Sequence, residues 1–184
     1  MKKVWALIVG AKGSGKSALA SRVASELGAR GVHVDGVIQD AIEEDGERVA
    51  YRVRRVGGGG EGVLLARRGA PPAGARAGSS REFCSFVFDD AAFARARTWV
   101  RQAAGESDVV VVDEVSKLEV SRGGHHDAIQ DALVGRALVI LVVRADQLFA
   151  VVERFELEDA VAILDAADES ALTSFVEAVA RAVD

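Results

Sequence analysis

Two short segments hold residues whose types and spacing suit them to phosphate chemistry. The first, GAKGSGKS at residues 10–17, matches G-x-x-x-x-G-K-[ST] in full. Glycines at 10, 13 and 15 let the backbone curl with its N–H groups turned inward. A helix starting at the end of such a loop adds partial positive charge at the same place, which suits a polyphosphate. In that setting Lys16 reaches the β- and γ-phosphates, and the Ser17 hydroxyl stands ready to ligate magnesium. Gly10, Ala11, Lys12, Gly13, Ser14, Gly15, Lys16, Ser17 and Ala18 are the residues expected to touch the nucleotide. Lys12 is out of step by one with the second signature lysine of some phosphate-loop ATPases, so it reads as a solvated loop lysine, with a role near the phosphates as the lesser alternative.

The second segment is DVVVVDEVSKLEV at 108–120. Four valines in a row describe a strand buried on both faces. Asp113 at its end is the expected magnesium-side carboxylate, sharing the ion with Ser17. Glu114, one step further, is the candidate for orienting an attacking water and taking its proton. The alternative is that Glu114 pairs with a cation such as Lys117 or an arginine. Lys117 and Glu119 are weaker candidates for the same site. His125 and His126 are adjacent and so diverge in direction, which speaks for helix capping or surface exposure over a metal pair. The segment VRAD at 143–146 lacks the N-K-x-D pattern that reads guanine.

These residues need strands and helices to position them. Apolar runs at Val4–Val9, Val32–Ile38, 109–112 and 137–143, with a short one at 160–164, read as strands. Helical segments alternate with them: Ser17–Leu27 with Gly28 as its stop, roughly 91–104 with Asp89 or Asp90 as its cap, His126–Leu133, a stretch from Asp146 to about Arg154, and Glu169–Val183. The last carries Leu172, Phe175, Val176 and Val179 on one stripe. Such alternation predicts an α/β fold in three layers, with a mainly parallel sheet covered on both faces. RVAYRVRRV and GVLLARR, around GGGGE, predict an antiparallel hairpin at about 48–68 that extends the sheet. FCSFVF at 83–88 reads as one short strand. Between them, 69–80 holds both prolines and small residues, so it reads as a flexible loop or lid. Arg67, Arg68, Arg76 and Arg81 flank or lie in it and could close over a nucleotide.

Composition bounds the rest. The 184 residues suit one domain, 1–184, and 49% hydrophobic with 28% charged residues describes a folded chain. A net charge of −5 speaks against general affinity for nucleic acid or membranes. No apolar stretch reaches the roughly 20 residues of a membrane span. The N-terminal MKKVWALIVG runs directly into the glycine-rich loop, so it reads as a core strand of a cytoplasmic protein and not as a signal peptide. The one cysteine, Cys84, allows no intrachain disulfide and is expected inside as a small apolar residue.

With these pieces together, the chain resembles the small cancer-related nucleoside-triphosphatase family. The phosphate loop alone is generic. More specific are DGVIQDAIEEDGERVAYRVRRV, similar to that family's strand and hairpin region, and VVVVDEVSKLEV, similar to its D-E-[IV]-G-[KP]-[ML]-E-[LF] segment. The resemblance implies a RecA-like core and slow, magnesium-dependent hydrolysis of ATP, GTP and other nucleoside triphosphates. It carries over Lys16, Ser17, Asp113 and Glu114. Ser116 stands where the family pattern has glycine, which puts the backbone turn after the acids in doubt. A related branch associated with molybdenum metabolism is similar in having K-x-E followed by glycines, but it often lacks the acid pair. Two other function classes stay open on the sequence: a small-molecule or nucleotide kinase, for which the 69–80 loop would be the lid, and a nucleotide-dependent switch or adaptor with a protein partner.

Overall fold

The structure is a computed structural model that describes residues 3–58, 62–73 and 80–184; at 80, 81 and 83 only the backbone is described. In chain order the strands are β1 (Trp5–Gly10), β2 (Val34–Glu44), β3 (Glu47–Arg55), β4 (Val63–Arg68), β5 (Ser80–Phe83), β6 (Phe86–Asp89), β7 (Val109–Val115), β8 (Leu138–Arg144) and β9 (Ile163–Asp165). The helices are α1 (Lys16–Ala29), α2 (Asp90–Glu106), α3 (Lys117–Val120), α4 (His126–Val134), α5 (Leu148–Arg154) and α6 (Leu172–Val183). The nine strands among the described residues form one sheet, in the order β5-β6-β4-β3-β2-β7-β8-β1-β9. From β2 to β9 neighbours run parallel, and from β2 outward to β5 they run antiparallel.

The three-layer expectation follows from how the strands divide their side chains. In β7, Val110 and Val112 face one apolar cluster with α2, α4 and α5, while Val109 and Val111 face another with α1 and α6. All four valines are fully buried, so the valine run is a strand with no solvated face. Leu172, Phe175, Val176 and Val179 of α6 are buried as their spacing predicts.

β2 is longer than the apolar run that announces it. Its first half pairs with β7, Val34 to Val37 against Val109 to Val112, and its acidic second half pairs with β3. Gln39–Glu44 has little strand character of its own, so here tertiary pairing overrides local propensity. The hairpin between β3 and β4 is present, and β2 and β6 flank it. The β2–β3 register slips at Val49: Ile42 faces Ala50, but Glu43 faces Arg48. The bulge turns Arg48 out of the alternation that the sequence of β3 suggests.

Other expectations are corrected. FCSFVF is not one strand: it folds back at Cys84 and Ser85, which take left-handed φ values of 51° and 69°, so β5 and β6 form a hairpin. Cys84, expected inside, is exposed at that tip because a turn has no core to face. Gly28 does not end α1. The helix runs on to Ala29, and Gly31, at φ 86°, takes the left-handed position after it. Asp89, at the end of β6, does cap α2, its Oδ1 accepting from the Ala91 N–H at 2.9 Å. Asp146 does not cap α5. It pairs with Arg144 at 2.7 Å instead. The 69–80 loop and Arg76 fall largely outside the described residues. No helix among the described residues is long and apolar enough to cross a membrane.

One glycine fixes the central join. Gly36 lies opposite Val111 with φ 126°, and a Cβ there would run into the Val111 carbonyl. Gly36→Ala is therefore expected to destabilise the chain by more than about 1 kcal/mol in urea unfolding, through backbone strain and lost β2–β7 pairing. A variant as stable as the native chain would contradict this.

Candidate functional site

The phosphate loop joins β1 to α1, as its sequence predicts. Gly13 and Gly15 have φ of 78° and 85°, a region in which only glycine is free of strain. Lys16 opens α1, is buried, and donates from Nζ to the Ala11 carbonyl at 2.9 Å. This bond holds the ammonium folded over the loop. Lys12 is exposed on the rim of the cleft.

Asp113 meets this loop from β7, two strands away from β1 with β8 between. It is wholly buried. One oxygen, Oδ2, accepts from the Gln39 N–H at 3.2 Å, and the Ser17 side chain lies close enough to favour the charged carboxylate. The other, Oδ1, is buried without a hydrogen-bond partner. Burial, with the Glu114 charge beside it, pushes the Asp113 carboxyl up to about 7, against the pull of Ser17, Gln39 and Lys16. An orphaned carboxylate oxygen next to a serine hydroxyl is a site that a hard cation would complete, so these residues fit magnesium. No cluster of three or more His, Cys, Asp or Glu side chains suited to a metal occurs among the described residues.

Glu114 is partly buried and borders the same cleft of about 370 Å³ as Lys16 and Ser17. Its charge is felt by Arg48, whose guanidinium is raised in pKa first by its bond to Tyr51, with smaller contributions from Glu43 and Glu114. The cation that the sequence offers as a partner, Lys117, is exposed and does not line the cleft.

Glu119 is placed differently from its neighbour in the motif. It is buried, and its Oε2 accepts from the Ser116 N–H at 2.9 Å while Oε1 accepts from the His125 N–H at 3.1 Å. Ser116 and Glu119 form a capping box on α3. Burial pushes Glu119 up to about 7, partly offset by these backbone bonds. The departure from the family pattern at Ser116 costs nothing, because φ −149° and ψ −155° describe extended backbone open to any residue. The glycine this loop needs is Gly124, at φ 57°, where a Cβ would run into Glu119. His125 and His126 are neither exposed nor side-chain caps. His125 stacks edge-on against Phe93 at 5.0 Å, and burial lowers its pKa to about 4. His126 Nδ1 sits 2.8 Å from the Glu119 carbonyl. Both are buried because α4 packs its first turn against the core.

Two cleft arginines escape sequence reasoning. Arg48 is displaced by the bulge in β3, and Arg144 ends β8 as one arginine among many. Of the arginines that the sequence marks, Arg67 and Arg68 are exposed. Arg68 donates to the Arg48 carbonyl at 2.9 Å, and the side chain of Arg81 is not described. Arg48 could have been found by counting the β3 residues against β2, had the slip been visible.

This fold and phosphate-loop site describe a nucleotide-binding α/β protein. A family model described as NTPase matches residues 6–172. The nucleoside-triphosphatase THEP1 of Methanopyrus kandleri is 30% identical over 137 residues, covering 74% of this chain and 71% of that protein. THEP1 of Thermococcus kodakarensis is 28% identical over 137 residues, covering 74% and 73%. The solution structure of a human cancer-related nucleoside triphosphatase superposes with a TM-score of 0.69 at 22% identity, covering 96% of this chain and 97% of that one. The chain belongs to the NTPase family, enzymes of the nucleoside-triphosphate phosphohydrolase class.

The geometry separates Glu119 from Lys117. Glu119→Ala leaves the buried His125 N–H and the part-buried Ser116 N–H without acceptors and is expected to cost roughly 2 kcal/mol or more of stability. Lys117→Ala is expected to stay within about 0.5 kcal/mol. Chemical denaturation of both variants reads the difference, and equal losses would overturn the assignment.

Proposed function

We propose that this chain is a magnesium-dependent nucleoside triphosphatase that hydrolyses ATP, GTP and other nucleoside triphosphates to the diphosphate and phosphate. The observation that carries the reading is that Lys16, Ser17 and Glu114 line one cleft, with Asp113 buried close to all three. β8 lies between the strands of the phosphate loop and of the acid pair, which supports the RecA-like core that the resemblance implies. The names of the curated relatives point the same way.

In this reading the loop N–H groups and Lys16 bind the phosphates, and Ser17 and Asp113 hold magnesium. The ion supplies charge neutralisation as the γ-phosphoryl separates. Glu114, at the cleft wall and partly open to water, orients the attacking water and receives its proton. The segment VRAD at 143–146 lacks the N-K-x-D pattern that reads guanine, and this supports broad base specificity. The nucleotide-contacting set is then residues 10–18, with Lys12 at the rim.

Phosphate release from ATP, GTP, CTP and UTP tests the reading. Lys16→Ala should lose nucleotide binding and turnover together. Glu114→Gln should keep binding while kcat falls roughly 100-fold or more. Asp113→Asn should raise the magnesium concentration needed for half-maximal rate. Native-like kcat in Glu114→Gln would remove Glu114 from the chemistry.

A further inference from the structure

The cleft does not end at the acids. In strand order, the phosphate loop stands on β1, Glu114 on β7, and beyond them β2, β3, β4 and β6 carry the far wall. That wall is aromatic. The chain's single tyrosine and three of its seven phenylalanines, Tyr51, Phe86, Phe88 and Phe93, line the cleft there. Tyr51 and Phe88 lie nearly parallel at 6.4 Å, Phe88 and Phe93 nearly parallel at 5.7 Å, and Tyr51 is tilted against Phe86 at 4.9 Å. Arg48 stands over the Tyr51 ring at 5.6 Å and donates to its hydroxyl at 3.3 Å. Its Nε is buried and has no partner. Arg48 also pairs with Glu43 at 3.6 Å, and its side chain lines the cleft. Aromatic side chains suit a planar ring, and a cation at the wall suits an anionic oxygen.

We propose that this aromatic end is a binding site for a second small molecule, planar and anionic, that sits beside the γ-phosphate and is distinct from the nucleotide. The proposal rests on the reading that Glu114 faces the γ-phosphate. With the triphosphate lying along the loop and its γ end at Glu114, the nucleoside extends back past β1, away from β3 and β4. The base then cannot reach the aromatic wall without displacing the γ-phosphate. The anionic group lies against Arg48, the cation that stands over the aromatic wall.

The probe is 1-anilinonaphthalene-8-sulfonate, an aromatic anion, titrated by fluorescence into the full chain with and without saturating magnesium and a non-hydrolysable ATP analogue. One saturable site is expected, with an affinity changed by no more than about twofold by the analogue and weakened about tenfold or more in Arg48→Gln. Cys84 lines the same cleft and is exposed, so bound probe should slow its alkylation by iodoacetamide. Competitive displacement by the analogue would mean that the wall holds the base and would overturn the proposal. Native-like affinity in Arg48→Gln, or unslowed alkylation of Cys84, would overturn it too. If Arg48→Gln fails to fold, protection of Cys84 in the native chain decides. A chain that binds no analogue would count against the hydrolase reading instead, and the titration without analogue shows that case separately.

Discussion

The site depends on one electrostatic constraint: the Asp113 carboxyl is taken wholly out of water and left incompletely bonded. A buried carboxylate is tolerated only when charge or hydrogen bonds replace the solvent it has lost. Here Gln39 and Ser17 replace part of it, Lys16 lies close enough to add its charge, and one oxygen waits. The doubly buried valines keep water away and leave the strand no freedom in where it points. Gln39 comes from β2, so the same carboxylate also ties the parallel core to the antiparallel wing.

The wing is anchored to that core by charge as much as by apolar packing. Arg54 reaches from β3 to Asp40 at 2.9 Å and to Ser21 of α1 at 2.7 Å, so the helix that opens at the phosphate loop bears directly on the hairpin. Arg55 grips Asp35 at 2.6 Å at the start of β2. Burial would raise the Asp35 carboxyl, but the bond to Arg55 and those from the Gly36 and Gly57 N–H groups hold it below the usual range. Both arginines are clamps, Arg54 to β2 and α1 and Arg55 to β2.

The core and the phosphate loop were legible because each is written in local chain. A glycine-rich loop between an apolar run and a helical pattern has few other meanings, and four adjacent valines leave a strand no exposed side. The wing was less legible because its geometry is set between strands. The slip at Val49 changes which side chains share a face, and no residue in RVAYRVRRV announces it. Cys84 and the histidines were misplaced for a related reason. Whether a small or a neutral polar residue is buried depends on what packs over it: a hairpin tip packs against nothing, and the first turn of α4 packs against Phe93 and Phe155. Ser116 shows the converse. A departure from a pattern is harmless where the backbone is extended.

The far border of the sheet has a consequence for behaviour at high concentration. An unpaired strand edge invites a neighbouring molecule to add a strand of its own. On the parallel side that edge is β9, only three residues long and ending in Asp165, with Leu164 buried and Ile163 as its one exposed large apolar side chain. A docking strand would find too few free backbone groups to form a ladder and would meet a charge at the end of it. Brevity at this border thus acts as protection against sheet-to-sheet aggregation.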